Sequence, residues 1–322
     1  MRYRSKLLFL AAILCALVLV YLVGSLSSPA NRTEPLLTGF EPSRSKAISI
    51  EGPAEAAELS LGAEGGWWIT VEGQRFPADR SRVAAFLEAI RTARSLRVAS
   101  RDPSTWSGFS LDSGQAIHVV VRDERRTLAD LYVGKSVRGG GGDYVRRAGF
   151  PATYETVASL SSYLAQAPSF WCDLKILPRG LSLDSLQTIG VRARNFEVGG
   201  RSVTADYLLV STVRGGKPVW AVQGEASYSL DPARLLEVEA EVLGLTGDEF
   251  VPHPDSRATG FEDPVARVLV SDVEGGRWVI DVGNRDGSRF YVKRQDRPYV
   301  YLVNQWTLAR LIRSLPELAA KG

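Results

Sequence analysis

The hydrophobic positions are most concentrated near the start of the chain. Leu7–Leu26 is an uninterrupted apolar segment of 20 residues. A helix of that length is about 30 Å long and matches the hydrocarbon core of a bilayer. Residues 1–6 contain three cations, Arg2, Arg4 and Lys6. The positive-inside rule therefore predicts a single-pass protein of the bacterial cytoplasmic membrane, with residues 1–6 in the cytoplasm and the bulk of the chain outside it.

The same segment is also compatible with a cleaved signal peptide, since Ser25–Ser27 loosely fits a small-x-small cleavage site. The uninterrupted apolar length favours the anchor. Residues 27–44 are rich in Ser, Pro and Gly and have no apolar period, which is typical of a flexible tether. Folded structure is expected from residue 45 onward.

Beyond the tether, runs with strand character are followed by a helical period. One apolar stripe at i, i+3, i+4 and i+7 predicts a helix and consists of Val83, Phe86, Leu87 and Ile90. The predicted strands of this half are Lys46–Ile50, Ala57–Leu61, Trp67–Val71, Ala116–Val121, Leu128–Val133, Asp143–Arg147 and Thr153–Val157, before a short helix near Ala158–Gln166.

The second half repeats this order. Asp231 directly before Pro232 predicts a helix start, because an acid is a good N-cap and proline suits the first helical position. Asp286-Gly287 is a hairpin signal. The predicted elements that follow are the strands Val265–Val270, Trp278–Val282, Arg289–Lys293 and Pro298–Val303 and a helix over Gln305–Leu315.

Pairs of matching residues recur at nearly constant spacing along the two halves. Trp68 and Trp220 are 152 residues apart, as are the dipeptides that begin at Gly108 and Gly260. Later matches have shorter spacings, down to 147 for Tyr154 and Tyr301. Such offsets are typical of a duplicated unit with deletions in its turns. The sequence therefore predicts two α+β repeats of mainly antiparallel sheet with packed helices, over residues 45–180 and 181–322.

These motifs resemble a known family. Arg75–Asp79 at a helix start, Leu131–Gly134 and Tyr144–Arg147 are similar to a bacterial family described as domain of unknown function 4340. The resemblance covers both halves and implies an exported, membrane-anchored protein of unassigned activity. Some members of the family are encoded beside gliding-motility-type ABC transporter components, which implies an accessory role in an envelope complex.

Charge and cysteine content exclude several classes of function. The chain has 39 basic and 36 acidic residues, and residues 1–6 account for the whole excess of three. A balanced chain lacks the basic field that nucleic acid binding requires. Cys172 is the only cysteine beyond Leu26, so no internal disulfide is expected there.

Candidate catalytic and metal-binding motifs are incomplete. The chain has two histidines, His118 and His253. The spacing of 152 equates His118 with Val270, which favours a packing role for His118. Two histidines and one thiol beyond the apolar segment cannot form the usual zinc sites. The sequence Gly134-Lys135-Ser136 lacks the earlier glycine of a phosphate loop. We therefore predict no catalytic residue, no cofactor, no metal and no small-molecule substrate.

Two sets of residues are candidates for binding a partner. The basic pairs Arg146-Arg147 and Lys293-Arg294 recur in both halves on predicted strands, where side chains alternate between faces. Trp106 and Trp278 are candidate aromatic platforms. The alternatives are a charged sheet edge that prevents aggregation and tryptophans that belong to the core.

The leading hypothesis is a non-enzymatic accessory or scaffold protein of an envelope assembly, with an ABC transporter as the associated complex that the resemblance implies. The expected partners are the membrane, through the anchor, and an envelope or transporter protein. A cell-wall glycan-binding module is the alternative, and an unrecognised hydrolase built on acidic residues is a third.

Overall fold

The computed structural model describes residues 33–53, 56–214, 217–225 and 228–320, together with 13–14 and 17–18. Most of the regular structure in these residues is antiparallel strand. The strands are β1 (Glu34–Pro35), β2 (Ala47–Glu51), β3 (Ala56–Leu61), β4 (Trp67–Val71), β5 (Gln74–Pro77), β6 (Arg94–Ser100), β7 (Ile117–Arg122), β8 (Thr127–Ser136), β9 (Asp143–Arg147), β10 (Thr153–Thr156), β11 (Leu186–Val198), β12 (Arg201–Arg214), β13 (Lys217–Val222), β14 (Glu249–Phe250), β15 (Ala266–Asp272), β16 (Arg277–Asp286), β17 (Arg289–Arg294) and β18 (Val300–Asn304).

Helices are few. The α-helices are α1 (Arg80–Thr92), α2 (Ser161–Leu164), α3 (Pro232–Gly244), α4 (Ser256–Thr259) and α5 (Gln305–Leu311). Short 3-10 segments lie at Pro42–Arg44, Pro103–Phe109, Pro168–Trp171, Leu183–Ser185 and Leu315–Leu318.

The chain divides into two compact units. The first contains the residues up to Gly65 and Ser81–Ala167, and the second contains Gly66–Arg80 and Pro168–Gly322. The β4–β5 hairpin is therefore part of the second unit, although it precedes α1 in the chain. These units do not divide at residue 180, where the repeat boundary was predicted, so the repeat boundaries remain a prediction.

In the first unit the strands follow the order β1-β6-β10-β9-β8-β7-β2-β3. Alternate residues of the central strands are fully buried, among them Ile48, Val119, Leu131 and Val145. The apolar stripe of α1 is buried as predicted. The intervening residues of these strands point to the opposite face of the sheet, because side chains alternate along a strand.

In the second unit the order is β13-β12-β11-β15-β16-β17-β18-β14. Helix α3 begins as predicted, since the Asp231 carboxylate accepts a hydrogen bond from the Ala233 amide and Pro232 occupies the first helical position. The predicted turn at Asp286-Gly287 connects β16 and β17. The β4–β5 hairpin places Phe76 in this unit's core, where its ring centroid lies 4.1 Å from that of Phe250.

The two sheets share one strand order. The order β6-β10-β9-β8-β7-β2-β3 in the first unit corresponds to β14-β18-β17-β16-β15-β11-β12 in the second. The paired strands also occur in the same sequence along the chain. A common topology therefore exists in the two halves.

The predicted fold class, α+β with an N-terminal transmembrane helix, is wrong. The described chain consists mostly of antiparallel strands in two sheets with few helices. The helix predicted near Ala158–Gln166 is reduced to the four residues of α2, and Pro168, which cannot continue a helix, follows closely. The helix predicted over Gln305–Leu315 ends at Leu311, because the next residue, Ile312, adopts extended backbone geometry with φ −94° and ψ 98°.

None of the helices formed by the described residues combines the length and the apolar composition needed to cross a membrane. Residues 1–6, almost all of the predicted span 7–26 and the first part of the tether lie outside the described residues.

Candidate functional site

Two of the six predicted partner-binding residues, Arg146 and Trp106, lie together in the first unit. The guanidinium of Arg146 lies 3.5 Å from the centre of the Tyr132 ring and 4.0 Å from that of Trp106. Its Nε donates to the backbone oxygen of Leu111, and the residue is 7% exposed. The Trp106 indole donates to the backbone oxygen of Pro151. Both side chains are therefore engaged within their own unit.

The stack continues to His118. Its ring lies parallel to that of Tyr132 at 4.2 Å, and its Nε2 is 2.7 Å from a carboxylate oxygen of Asp130. His118 pairs with Tyr132, and Tyr132 with Arg146, along neighbouring strands. We call Trp106, Arg146, Tyr132 and His118 the stacked row.

The strand register corrects the predicted equivalence of His118 and Val270. In the second unit, Arg267 pairs with Asp281 and Asp281 with Lys293, the residue that corresponds to Arg146. His118 therefore corresponds to Arg267, at a spacing of 149. The position equivalent to His118 is therefore occupied by an arginine and not by a valine.

The other predicted residues occupy separate positions. The Arg147 guanidinium lies 4.4 Å from the centre of the Phe150 ring. Lys293 is half-buried opposite Asp281, and Trp278 is half-buried opposite Val270. Arg294 is 6% exposed, forms an ion pair with Asp296 and donates to the backbone oxygen of Ile176 at 2.6 Å.

Arg294 is one wall of a cleft in the second unit that we call the basic cleft. Its volume is about 360 Å³. The lining comes from the β4–β5 hairpin, the segment after Pro168 and the β17–β18 connection. Its polar and aromatic members are Trp67, Trp68, Arg80, Asp173, Lys175, Arg179, Arg294, Arg297, Tyr299 and Tyr301.

The hairpin forms because its turn sequence suits the geometry. Glu72 and Gly73 both have positive φ, 49° and 80°, as a two-residue hairpin turn of type I′ requires. Val71 pairs with Gln74 and Trp68 with Pro77, so the register of the two strands is fixed. This register places Trp67 and Trp68 beside the cleft.

The cleft carries an excess of positive charge. Arg75 contributes to it from above the Trp68 ring, with its guanidinium 5.0 Å from the ring centre. The cations are Arg75, Arg80, Lys175, Arg179, Arg294 and Arg297, and the neighbouring acids are Asp79, Asp173 and Asp296. Six cations minus three acids leave a local charge of +3.

Some of these cations are fixed by internal partners. Arg179 forms ion pairs with Asp173 at 2.8 Å and Asp79 at 3.1 Å, and these carboxylates raise the pKa of Arg179. Lys175 donates to the backbone oxygen of Leu243. Among the described residues, no carboxylate lies within ion-pair distance of the exposed Arg75 and Arg80, and the ion pair of Arg297 with Asp296 is long, at 4.0 Å. Arg75, Arg80 and Arg297 therefore carry the charge that is available to a ligand.

The aromatic side of the cleft adds flat surfaces and a hydroxyl donor. Burial raises the pKa of Tyr299, although Arg297 and Arg75 oppose the shift. Its phenol therefore stays protonated at neutral pH and can donate a hydrogen bond. Trp67 and Trp68 are half-exposed.

The lining of the cleft consists mainly of cations, aromatic rings and apolar side chains. The lining has no His, Cys, Ser or Thr. Its one carboxylate, that of Asp173, is held by Arg179. Within the described ranges, no cluster of three His, Cys, Asp or Glu side chains could hold a metal ion.

Sequence reasoning missed this cleft. Arg80, Arg179 and Arg297 were not singled out, and Trp68 served as a match between the two halves, not as a candidate binding residue. The available signal is that three segments, Arg75–Arg80, Asp173–Arg179 and Arg294–Arg297, each combine two cations with an acid, although they lie more than 90 residues apart.

No curated protein and no solved structure matches the chain. Residues 67–200 match the model of one family, Domain of unknown function (DUF4340), which confirms the predicted resemblance for a single copy. The matched stretch contains the hairpin and Lys175–Arg179 of the basic cleft and ends before Arg294.

Proposed function

We propose that the protein is a non-enzymatic accessory of an envelope assembly and that it holds an acidic segment of a partner protein in the basic cleft. The observation that carries the proposal is the local charge of +3 beside two half-exposed indoles. Clefts lined by charge of one sign attract ligands of the opposite sign. Tryptophan, tyrosine and arginine are the residues that most often contribute the binding energy of protein interfaces.

The fixed arginines support this proposal. Arg179 is held by two carboxylates and Arg294 by Asp296 and a backbone oxygen. A side chain already held in place loses little conformational entropy when a ligand binds. Arg80, which has no carboxylate within ion-pair distance among the described residues, and Arg297, whose contact with Asp296 is long at 4.0 Å, then supply charge for the ligand.

We also propose that the chain contains two copies of the family's domain, although the family match covers one. The shared strand order supports this. So do Gly134 and Gly283, which occupy corresponding positions in β8 and β16. A Cβ at Gly134 would lie 2.2 Å from the backbone oxygen of Phe109, and one at Gly283 would lie 1.9 Å from that of Thr259. Both halves need glycine because a preceding segment packs against the strand there.

Binding of a cell-wall glycan is the second candidate. Trp67 and Trp68 favour it, because half-exposed indoles offer flat apolar faces with a polar edge. The charge of the cleft favours the acidic protein segment, since an arginine forms a stronger hydrogen bond with a carboxylate than with a neutral sugar hydroxyl.

In-cell crosslinking of the full chain tests the proposal. The double variant Arg80→Glu, Arg297→Glu reverses two of the charges of the cleft that are available to a ligand. We expect the yield of crosslinked envelope partner to fall at least about tenfold, since like charges across an interface cost several kcal/mol. Arg125→Glu with Arg138→Glu is the matched control, because both residues are exposed in the first unit and the net charge changes equally.

An equal yield from the double variant and the wild type would refute the proposal. Loss of retention on purified peptidoglycan in Trp67→Ala, with no change in the charge variant, would establish the glycan alternative instead.

A further inference from the structure

The second unit has a further concave site, on the open face of its sheet. Val191 on β11, Val268 on β15 and Ile280 on β16 are buried on one face of the sheet. The residues next to each of them along its strand point to the opposite face. That face contains a hollow of about 520 Å³. We call it the open-face hollow.

The floor of the hollow is apolar. Gly190 lies between Leu208 on one neighbouring strand and Leu269 on the other, and Leu269 pairs with Val279. A Cβ at Gly190 would lie 3.1 Å from Leu208 and 3.3 Å from Leu269. The glycine therefore lets the two leucines close over the strand and form a continuous apolar surface.

Three of the four corresponding positions of the first unit are polar. Ser49 pairs with Glu58 and with Val120, and Val120 pairs with Asp130. Glu58, Ser49, Val120 and Asp130 thus replace Leu208, Gly190, Leu269 and Val279. The apolar floor is a property of the second unit and not of the shared scaffold.

The rim of the hollow is basic. Arg267 donates from Nε to Asp281 at 2.6 Å, and Gln295 donates to the other oxygen of Asp281 at 2.8 Å. Asp281 is nearly buried, so it holds Arg267 in place. Arg277 is exposed, and no carboxylate of the described chain lies within ion-pair distance of it.

The rim has a small net positive charge. Arg192 pairs loosely with Asp206 at 3.3 Å. Three cations, Arg192, Arg267 and Arg277, minus two acids, Asp206 and Asp281, leave +1. A ligand with one negative charge is therefore sufficient to neutralise the site.

We propose that the open-face hollow binds a free carboxylic acid with an apolar body, the chemistry of a medium-chain fatty acid. The carboxylate is held by Arg277 and by the guanidinium of Arg267 that Asp281 positions. The apolar body lies on Leu208, Leu269 and Val279. The volume is within the range of small-molecule sites, about 300–1,000 Å³. This inference is independent of the basic cleft.

Isothermal titration of the full chain with dodecanoate tests it, with dodecanol and acetate as partial ligands. We expect dodecanoate to bind and each partial ligand to bind at least about tenfold more weakly, because each lacks one of the two matched features. Arg277→Gln is expected to weaken dodecanoate binding about tenfold, the effect of one charge-assisted hydrogen bond.

Val279→Asp introduces the residue of the first unit and is expected to abolish binding, because it places a charge of the same sign in the floor. Arg138→Gln is the control and is expected to bind like the wild type, since Arg138 is exposed in the first unit. A thermal melt of each variant establishes that it is folded. If Val279→Asp does not fold, dodecanoate binding is measured with Val279→Thr, an uncharged substitution on the same floor.

The absence of dodecanoate binding by the folded wild type would overturn the proposal, as would equal binding of dodecanol and dodecanoate. Unchanged binding in folded Arg277→Gln and Val279→Asp would place the ligand elsewhere and overturn it as well.

Discussion

The two units share one strand order but have chemically different residues at matching positions. In the first unit, His118, Tyr132 and Arg146 lie side by side on three neighbouring strands and stack as rings and guanidinium. In the second unit the same positions hold Arg267, Asp281 and Lys293. There, Asp281 is the central group and takes hydrogen bonds from Arg267 and Gln295.

Because of this difference, the same strand positions form different surfaces in the two units. The stacked row is covered by Trp106, so Arg146 is buried and contributes to stability. The row with Asp281 stays open, so Arg267 is fixed in place and still accessible, with 42% of its side chain exposed. One unit uses the row for cohesion, and the other leaves it available for a ligand.

The largest effect is expected from Arg146→Met. The substitution removes a buried cation from between two rings and leaves the backbone oxygen of Leu111 without its donor. We expect a loss of about 3 kcal/mol in the free energy of unfolding. Lys293→Met, at the matching position of the second unit, should cost less than about 1 kcal/mol. Urea denaturation of both variants measures the difference, and equal losses would contradict the comparison.

Asp281→Asn should have the next largest effect. The amide keeps one oxygen acceptor but presents an NH₂ group to one of the two donors, Arg267 or Gln295. We expect a loss of about 2 kcal/mol, typical of a hydrogen bond to a charged group. Asp206→Asn serves as the control, because the pair of Asp206 with Arg192 is exposed and contributes little. A comparable loss in both variants would show that Asp281 is no special support for Arg267.

Each of the two units also contains a buried glutamate, and the pKa values of the two glutamates are shifted in opposite directions. The hydrogen bond from Arg97 lowers the pKa of Glu155 in the first unit, whereas burial raises the pKa of Glu239 in the second, against the hydrogen bond from Trp220. A lowered pKa contributes stability above the unfolded value, and this contribution is lost as the pH falls through the folded value. A raised pKa contributes stability at acid pH, and this contribution is lost as the pH rises through the folded value.

Glu239→Gln should therefore stabilise the protein at pH 7 by up to about 1 kcal/mol, because the amide oxygen can still accept from Trp220 without the cost of a buried charge. The gain should vanish near pH 4. Glu155→Gln should destabilise at pH 7, with a difference that shrinks in acid. Unfolding curves at the two pH values measure both, and the same sign of change at pH 7 would refute the assignment.

His118→Phe is expected to have the smallest effect. The new ring preserves the stack on Tyr132 and loses one short polar contact, the hydrogen bond to the half-exposed Asp130, beside a long contact of 3.9 Å with the exposed Glu51. A change of about 0.5 kcal/mol follows from one exposed polar contact. A thermal melt measures it, and a loss as large as that of Arg146→Met would mean that His118 holds the row together.

The parts of the fold that depend on short-range signals could be predicted from the sequence. The stripe of α1, the Asp231-Pro232 start of α3 and the Asp286-Gly287 turn are determined by neighbouring residues. Strands β11 and β12 were missed. A bulge between Ala193 and Phe196, with Asn195 at φ 50°, shifts the alternation of buried and exposed residues by one step.

Features that depend on distant residues could not be predicted. The basic cleft combines side chains from three segments, and only the folded hairpin brings Arg80 near Arg297. The wrong partner for His118 has a local cause, since the spacing changes from 152 to 149 between Phe109 and β7. This change of spacing is evident only from the pairing of the strands, which cannot be read from the sequence.

The most direct test of the central claim is the affinity of the full chain for a fluorescent poly-glutamate peptide at low and high salt. We predict saturable binding that weakens with salt, falls at least about tenfold in Arg80→Glu with Arg297→Glu, and is unchanged in Arg125→Glu with Arg138→Glu. Equal binding by the two double variants would contradict the claim that the basic cleft recognises an acidic partner.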